Sequence, residues 1–127
     1  MPAAAPMASH GRSRRASTLT NMVVTIFRSR LRPENQEAYQ HTATRMDELA
    51  QQMPGFISIK TFNAPDGERV SIVEFESEET HNAWRKHPEH QEAQRLGRKL
   101  FYSEFQIQVC KVERAYGMQQ KVERPES

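Results

Sequence analysis

The stretch from Ala83 to His90 holds the side chains best suited to chemistry, because it contains the only tryptophan, Trp84, and two of the five histidines. An indole offers a flat wall on which an aromatic ligand can stack, although a tryptophan is as often a large core residue. The imidazole of His90 titrates near neutral pH, so it is suited to take the proton of a phenol as a general base. These residue types indicate a pocket for an aromatic molecule.

A second histidine, His87, lies three residues before His90, a spacing that brings two side chains to one face of a helix. A shared metal ion is the weaker interpretation, since such a site needs a third ligand and the sequence places none. Two simpler alternatives stay open, namely that His87 caps a helix and that His90 faces solvent.

Pro88 separates these histidines and interrupts a run that is otherwise helical in pattern. Proline lacks the backbone N–H and clashes with the preceding turn, so the helix predicted over residues 76–100 breaks at His87 and resumes at Pro88. Ser77 is a plausible N-cap for the first segment. The break changes the direction in which Trp84 and the histidines point, and we expect this corner of the chain to form part of a pocket wall.

The remaining elements follow from periodicity. Segments rich in β-branched and alternating apolar residues predict four strands, at residues 22–31, 56–62, 69–75 and 102–112. An apolar stripe predicts a helix between Pro33 and Pro54, with Pro33 near its first position. The order βαββαβ is that of the α+β ferredoxin-like fold, with two helices on one face of a four-stranded antiparallel sheet.

Both faces of this sheet carry apolar side chains. In the second strand, Ile57 and Ile59 share one face, whereas Phe56 and Phe62 share the other. A sheet covered on one side alternates apolar and polar residues, so the face away from the helices is expected to meet another surface. A second copy of the sheet would bury it, which predicts a homodimer. In the last strand, three polar residues should point away from the helices: Glu104, Gln106 and Gln108.

Charge and composition exclude several classes of protein. Residues 1–21 carry three arginines and no acid, so the rest of the chain sums to −1 out of a net +2, which argues against a nucleic-acid footprint. Cys110 is the only cysteine, so there is no internal disulfide, and the apolar runs are too short to span a membrane. A cytoplasmic protein is expected.

The ends of the chain are polar. Residues 1–21 are predicted to be a disordered tail, and a transit peptide is the alternative because the segment is rich in arginine and serine. Residues 22–113 form the predicted domain, and residues 114–127 form a C-terminal tail that packs locally through Tyr116.

The element order, the corner Met53-Pro54-Gly55-Phe56, Trp84 and the following His-Pro-Glu-His resemble the antibiotic biosynthesis monooxygenase family, a branch of the dimeric α/β barrel superfamily. The resemblance spans residues 22–112. It implies a pocket between helices and sheet in each protomer of a dimer. Members include oxygenases that act without a cofactor on quinol-like or anthrone-like aromatics, and enzymes that degrade haem.

The resemblance is transferred residue by residue. Haem-degrading members use a tryptophan, which Trp84 matches, a histidine ten positions later, where Gln94 stands, and a first-strand asparagine, where Phe27 stands. Haem degradation is therefore disfavoured, and neither a cofactor nor a metal ion is expected. Cofactor-free members pair the tryptophan with polar or aromatic neighbours further along the helix. This implies His90 and Trp84 as catalytic residues, and as substrate-binding residues Phe27, His87, Arg98 and Phe75.

The expected function is a cofactor-independent monooxygenase acting on a small, electron-rich aromatic. The alternative is a non-catalytic dimeric barrel that binds a small apolar ligand, since one fold supports many functions. RNA recognition motifs share the element order, but the third strand, residues 69–75, lacks their Gly-Phe pattern.

Overall fold

The structure, a computed structural model, describes residues 21–119. In chain order its elements are β1 (Val23–Leu31), α1 (Gln36–Gln52), β2 (Phe56–Asn63), β3 (Arg69–Phe75), α2 (Glu78–Arg85), α3 (Pro88–Leu96), a π-helical turn (Gly97–Phe101) and β4 (Tyr102–Lys111). The strands form one antiparallel sheet in the order β2-β3-β1-β4. The predicted α+β ferredoxin-like fold is confirmed.

The first helix begins later than its sequence pattern indicates. Asn35 adopts a left-handed conformation, with φ 60° and ψ 30°, and the helix starts after it, at Gln36. Pro33 therefore lies in the loop and not in the first helical turn. The side-chain amide of Asn35 donates to the carbonyl of Leu100 at 3.3 Å, which ties this loop to the π-helical turn.

The predicted break at Pro88 is confirmed. The first segment, α2, starts from Ser77, which forms a capping box with Thr80. The second segment, α3, starts at Pro88 with His87 as N-cap, whose Nδ1 accepts from the backbone N–H of Glu89 at 3.1 Å. The helical region does not run to Leu100 as a regular α-helix, because it changes to the π-helical turn at Gly97.

The core lies between the helices and one face of the sheet. Its larger cluster is formed by Ala50, Phe56, Ile59, Val73, Phe75 and Trp84, and its smaller cluster by Tyr39, Ala43 and Phe101. The prediction that Phe56 and Ile59 lie on opposite faces is wrong. A register shift between Phe56 and Ser58 brings Phe56 to the helix side together with Ile59, whereas Phe62 stays on the outer face, 47% exposed.

The last strand carries apolar side chains on its helix-facing side, as predicted. Its register pairs Phe105 with Ser29, Ile107 with Phe27 and Val109 with Thr25, and paired residues of antiparallel strands share a face. These apolar side chains are nevertheless 39–54% exposed, because the helices pack mainly against β2 and β3, away from this edge strand. The polar residues Glu104, Gln106 and Gln108 face away from the helices, as predicted.

Several expectations concern the chain ends. The predicted N-terminal tail lies outside the described residues apart from Asn21, and so do residues 120–127 of the C-terminal tail. The expected local packing of Tyr116 is wrong, since this side chain is 92% exposed. Over residues 21–119, none of the helices is both long and apolar enough to cross a membrane.

Candidate functional site

A cavity of about 170 Å³ lies between the sheet and the helices α1, α2 and α3. The short side chains of Thr25, Ser29 and Ser71 line it from the two central strands, on the face that bears the helices. Large apolar residues at these positions would fill the space, as Phe75 does at the end of β3. The cavity therefore exists because small hydroxyl residues alternate along this face of the strands.

Four of the six predicted site residues line the cavity: Phe27, Trp84, His90 and Arg98. Trp84 is buried, and the centroid of its ring lies 4.2 Å from that of His90. Phe27 makes an edge-to-face contact with Tyr102, with centroids 5.3 Å apart. The guanidinium of Arg98 lies 5.9 Å from the ring centroid of Phe105, near the open side of the cavity along β4.

The structure does not bring the other two predicted residues to the cavity lining. Phe75 is fully buried behind Trp84, on which it stacks with ring centroids 5.3 Å apart and planes inclined by 28°. It therefore packs against one face of the indole and holds it in place. His87 caps α3, which agrees with the simpler of the two interpretations of this residue.

His90 has the geometry of a neutral imidazole. Its Nδ1 lies 3.2 Å from the backbone carbonyl oxygen of Arg85 and 3.4 Å from the side-chain amide nitrogen of Gln94. The shorter contact is to an oxygen that can only accept, so it favours the tautomer with the proton on Nδ1 and with Nε2 as an acceptor. Burial lowers the pKa of His90, against the raising effect of that hydrogen bond. The ring is thus held uncharged at neutral pH beside Trp84.

Four buried polar atoms lack a hydrogen-bond partner among the residues that the structure describes: Asp47 Oδ1, Arg69 Nη2, His81 Nδ1 and Trp84 Nε1. All four belong to residues that line the cavity. Buried polar groups are normally satisfied, so each exception needs an explanation. The grouping of these residues around one cavity marks it as the candidate binding site.

Asp47 was not predicted from the sequence. It lies on α1 four residues after Ala43 and eight after Tyr39, so it belongs to the apolar stripe of that helix. Burial, with a smaller contribution from the charge of Glu48, raises the pKa of Asp47 to about 7. The signal in the sequence was an acidic residue within the apolar stripe of α1, where a charged side chain is rarely buried unless it is paired.

His81 was also missed, although it lies three residues before Trp84 and so faces the same side of α2. It is 2% exposed, and its Nε2 lies 2.6 Å from the hydroxyl oxygen of Thr25. Burial lowers the pKa of His81. This ring links α2 to the cavity face of β1 and presents Nδ1 without a partner.

Arg69 is the third missed residue. It opens β3 and alternates with Ser71 and Val73 on the face that lines the cavity. Its guanidinium carbon lies 5.5 Å from the ring centroid of Tyr39, and its Nη1 donates to Asn63 Oδ1 at 3.3 Å. Burial lowers the pKa of this guanidinium. The signal in the sequence was an arginine at a strand position whose side chain shares a face with Ser71 and Val73.

Metal-binding residues are not grouped at this site. Within residues 21–119, three or more His, Cys, Asp or Glu side chains nowhere come together as metal ligands would. The position where haem-degrading members carry a histidine is Gln94, which lines the cavity here, as does Phe27 at the asparagine position.

The sequence model of the antibiotic biosynthesis monooxygenase family matches residues 22–96. Protein YqjZ of Bacillus subtilis strain 168 is 36% identical over 86 residues, which cover 68% of this chain and 75% of that protein.

Two solved structures resemble the fold. A conserved protein from Methanosarcina mazei Go1 superposes with a TM-score of 0.66 at 11% identity, covering 74% of this chain and 95% of that one. SnoaB, a cofactor-independent oxygenase from Streptomyces nogalater, superposes with a TM-score of 0.60 at 13% identity, covering 80% of this chain and 96% of its own. At these identities the likeness concerns the fold.

Proposed function

The chain belongs to the antibiotic biosynthesis monooxygenase family, and on this premise we propose that it is a cofactor-independent monooxygenase of a small, electron-rich aromatic. The observation that carries the proposal is the pairing of Trp84 with a partly buried, neutral His90, ring centroids 4.2 Å apart, on the wall of one cavity. The indole supplies an aromatic part of the cavity wall, and the imidazole beside it supplies a proton acceptor.

The chemistry uses the electrons of the substrate. His90 Nε2 takes the proton of a phenolic hydroxyl, and the resulting anion reduces dioxygen directly. For an anthrone-like substrate, a CH₂ carbon becomes a carbonyl, so one oxygen atom enters the product. The second oxygen atom leaves as water with the two hydrogens of that carbon. Oxygen and electrons balance without an external reductant.

The surroundings of His90 suit this role. A base must be unprotonated to act, and burial of the ring, which lowers its pKa, keeps it so at neutral pH. The hydrogen bond from Nδ1 to the carbonyl of Arg85 fixes the orientation of the imidazole. It also stabilises the imidazolium that forms when Nε2 accepts a proton, since Nδ1–H remains a donor to that carbonyl.

Oxygen uptake tests the proposal. The purified, metal-free protein is incubated with a panel of hydroquinones and anthrones, alongside the variants Trp84→Phe and His90→Ala. We expect uptake above the spontaneous rate and a loss of about 100-fold or more in His90→Ala, the range of general base catalysis. His41→Ala is the matched control, because His41 lies exposed on α1.

Each outcome decides between functions. An unchanged rate in His90→Ala removes this residue from the mechanism. Absence of uptake across the panel, with binding of one of the compounds retained, supports the alternative of a non-catalytic protein that binds a small apolar ligand.

We further propose that the protein forms a homodimer through the face of the sheet away from the helices. Paired residues at the centre of that face, Ile26 with Ile72 and Val70 with Phe62, are apolar and at least partly accessible in the single chain. Apolar surface of this kind marks an interaction site.

A further inference from the structure

Building on the proposed function, we propose that the aromatic substrate carries an acidic oxygen, as a carboxylate or an ionised hydroxyl, which Arg69 binds. The proposal concerns the end of the cavity formed by Arg69, Tyr39 and Tyr102, which we call the arginine end. It assigns a chemical class to the ligand and a specificity role to a residue outside the Trp84–His90 pair.

The charged side chains that line the cavity are three arginines, Arg69, Arg85 and Arg98, against one acid, Asp47. Asp47 is held partly protonated at neutral pH, because burial raises its pKa to about 7. The cavity is therefore electropositive, and it complements a ligand of negative charge.

Several arginines elsewhere on the described part of the chain are paired with carboxylates. Arg28 pairs with Glu68 at 2.8 Å, Arg45 with Glu89 at 2.7 Å, and Arg95 with Glu92 at 2.7 Å. Of the carboxylates between residues 21 and 119, by contrast, none forms an ion pair with Arg69, whose Nη2 is buried without a partner. Removing a cation from water without a counter-charge is costly. An anionic ligand at the arginine end would offset that cost.

The neighbours of Arg69 hold its guanidinium in place. The ring of Tyr39 lies under it at 5.5 Å, and the side-chain oxygen of Asn63 accepts from Nη1. Both contacts restrict the plane of the guanidinium and leave Nη2 without a partner among the described residues. A charge-assisted hydrogen bond from a preorganised arginine to an anionic oxygen is among the stronger polar contacts in proteins.

The position of Arg69 also bears on the size of the ligand. Arg69 is the first residue of β3, and Phe75, on which Trp84 stacks, is the last, so the two Cα atoms are roughly 20 Å apart along the strand. Ser71 and Val73 line the cavity between them. A ligand that reaches both the arginine end and Trp84 is longer than one ring, which favours a fused-ring aromatic acid.

Calorimetric titration of the whole protein with matched probes tests the inference. The acids are benzoate, 2-naphthoate and 2-anthracenecarboxylate, and the neutral counterparts are their amides. These compounds lack an oxidisable hydroxyl, so they report recognition without turnover. We expect the wild type to bind the fused-ring acids about tenfold or more tightly than their amides. Arg69→Gln should lose this preference while amide binding changes less than about threefold, and Arg69→Lys should keep part of it.

Arg95→Gln is the matched control, because Arg95 lies exposed on α3 and pairs only with Glu92 among the described residues. Equal binding of acids and amides by the wild type would overturn the inference, as would an equal loss of both in Arg69→Gln or no binding of any acid. The preference of the wild type is a test that does not depend on any variant folding. Oxygen uptake with neutral hydroquinones but no preference for acids would leave the proposed function standing and remove the role of Arg69. A preference for acids without oxygen uptake would support the role of Arg69 and count against the proposed oxygenase function.

Discussion

At the scale of single residues, burial moves the ionisable groups of the cavity toward their uncharged forms. It raises the pKa of Asp47 to about 7 and lowers the pKa values of His81 and His90. At neutral pH the two rings are neutral and the carboxyl is partly protonated. The arginines alone keep a full charge, so the cavity offers a neutral imidazole as a base for the proton of a bound phenol.

The pH profile of oxygen uptake tests this state of His90. The charges of His81, His87 and Arg85 act on its imidazole together with burial, and each of them also lowers its pKa. Protonation removes the acceptor, so kcat/KM should fall as the pH drops through a value below 6.5, the ordinary pKa of histidine. The remaining activity of His90→Ala should lack this inflection. The same inflection in the variant and the wild type would assign it to another group.

Asp47→Asn should stabilise the protein at high pH. The folded state keeps the proton of Asp47 up to about pH 7, whereas an unfolded chain releases it near 3.8, so rising pH between these values favours unfolding. Removing the charge should raise the free energy of unfolding by roughly 1–2 kcal/mol above pH 7 and have little effect below pH 4. Urea denaturation measures the difference. Glu34→Gln, at an exposed position in the loop before α1, is the control. A gain that is independent of pH would contradict the assigned cause.

At the scale of elements, the corner between α1 and β2 supports the start of α2. Gly55 has φ +81°, and a Cβ there would lie 2.5 Å from the side chain of Thr80. Thr80 completes the capping box with Ser77: each backbone N–H donates to the other residue's hydroxyl at 3.2 Å. Because α2 carries His81 and Trp84, this contact between distant parts of the chain sets the position of the cavity wall.

Gly55→Ala should therefore be strongly destabilising. A left-handed alanine is strained, and its methyl group must displace Thr80, so we expect a loss of roughly 2–3 kcal/mol in the free energy of unfolding. The control is Gly67→Ala, at φ +94° in an exposed turn where the nearest atom to a Cβ is 3.9 Å away. This variant introduces only backbone strain, so we expect its free energy of unfolding to fall by roughly 1 kcal/mol. Equal losses in urea denaturation would show that the contact with Thr80 is unimportant.

The sequence predicted those structural features that depend on residues close together in the chain. The break at Pro88 and the alternation of β4 are of this kind, and both are confirmed. The face of Phe56 was predicted wrongly because a register shift in the pairing of β2 with β3 sets it, which no local pattern reports. In the same way, Arg69 and Asp47 reach one cavity only through the packing of α1 against the sheet, so their shared site was invisible in the sequence.

At the scale of the whole molecule, the outer face of the sheet has the composition of an interface. Its centre is apolar, with Ile26 opposite Ile72 on adjacent strands. Its edge is charged, with Arg28 bound to Glu68 and Arg30 bound to Asp66 at 2.9 Å. An apolar centre surrounded by a polar rim is the usual anatomy of a protein interface. The helix-free position of this face means that a partner can reach it without disturbing the cavity.

Ile72→Lys tests the proposed homodimer. A lysine at the centre of the outer face would bring a charge into the apolar contact with a second copy, where desolvation and like-charge repulsion both oppose association. We expect light scattering at micromolar concentration to give twice the chain mass of 14.7 kDa for the wild type and the single mass for the variant. Gln91→Lys, which adds the same charge at an exposed position on α3, should remain dimeric.

A monomeric wild type would exclude the dimer. A dimeric Ile72→Lys with an unchanged circular dichroism spectrum would instead move the interface to another surface, of which the exposed Phe105, Ile107 and Val109 of β4 form the nearest apolar candidate.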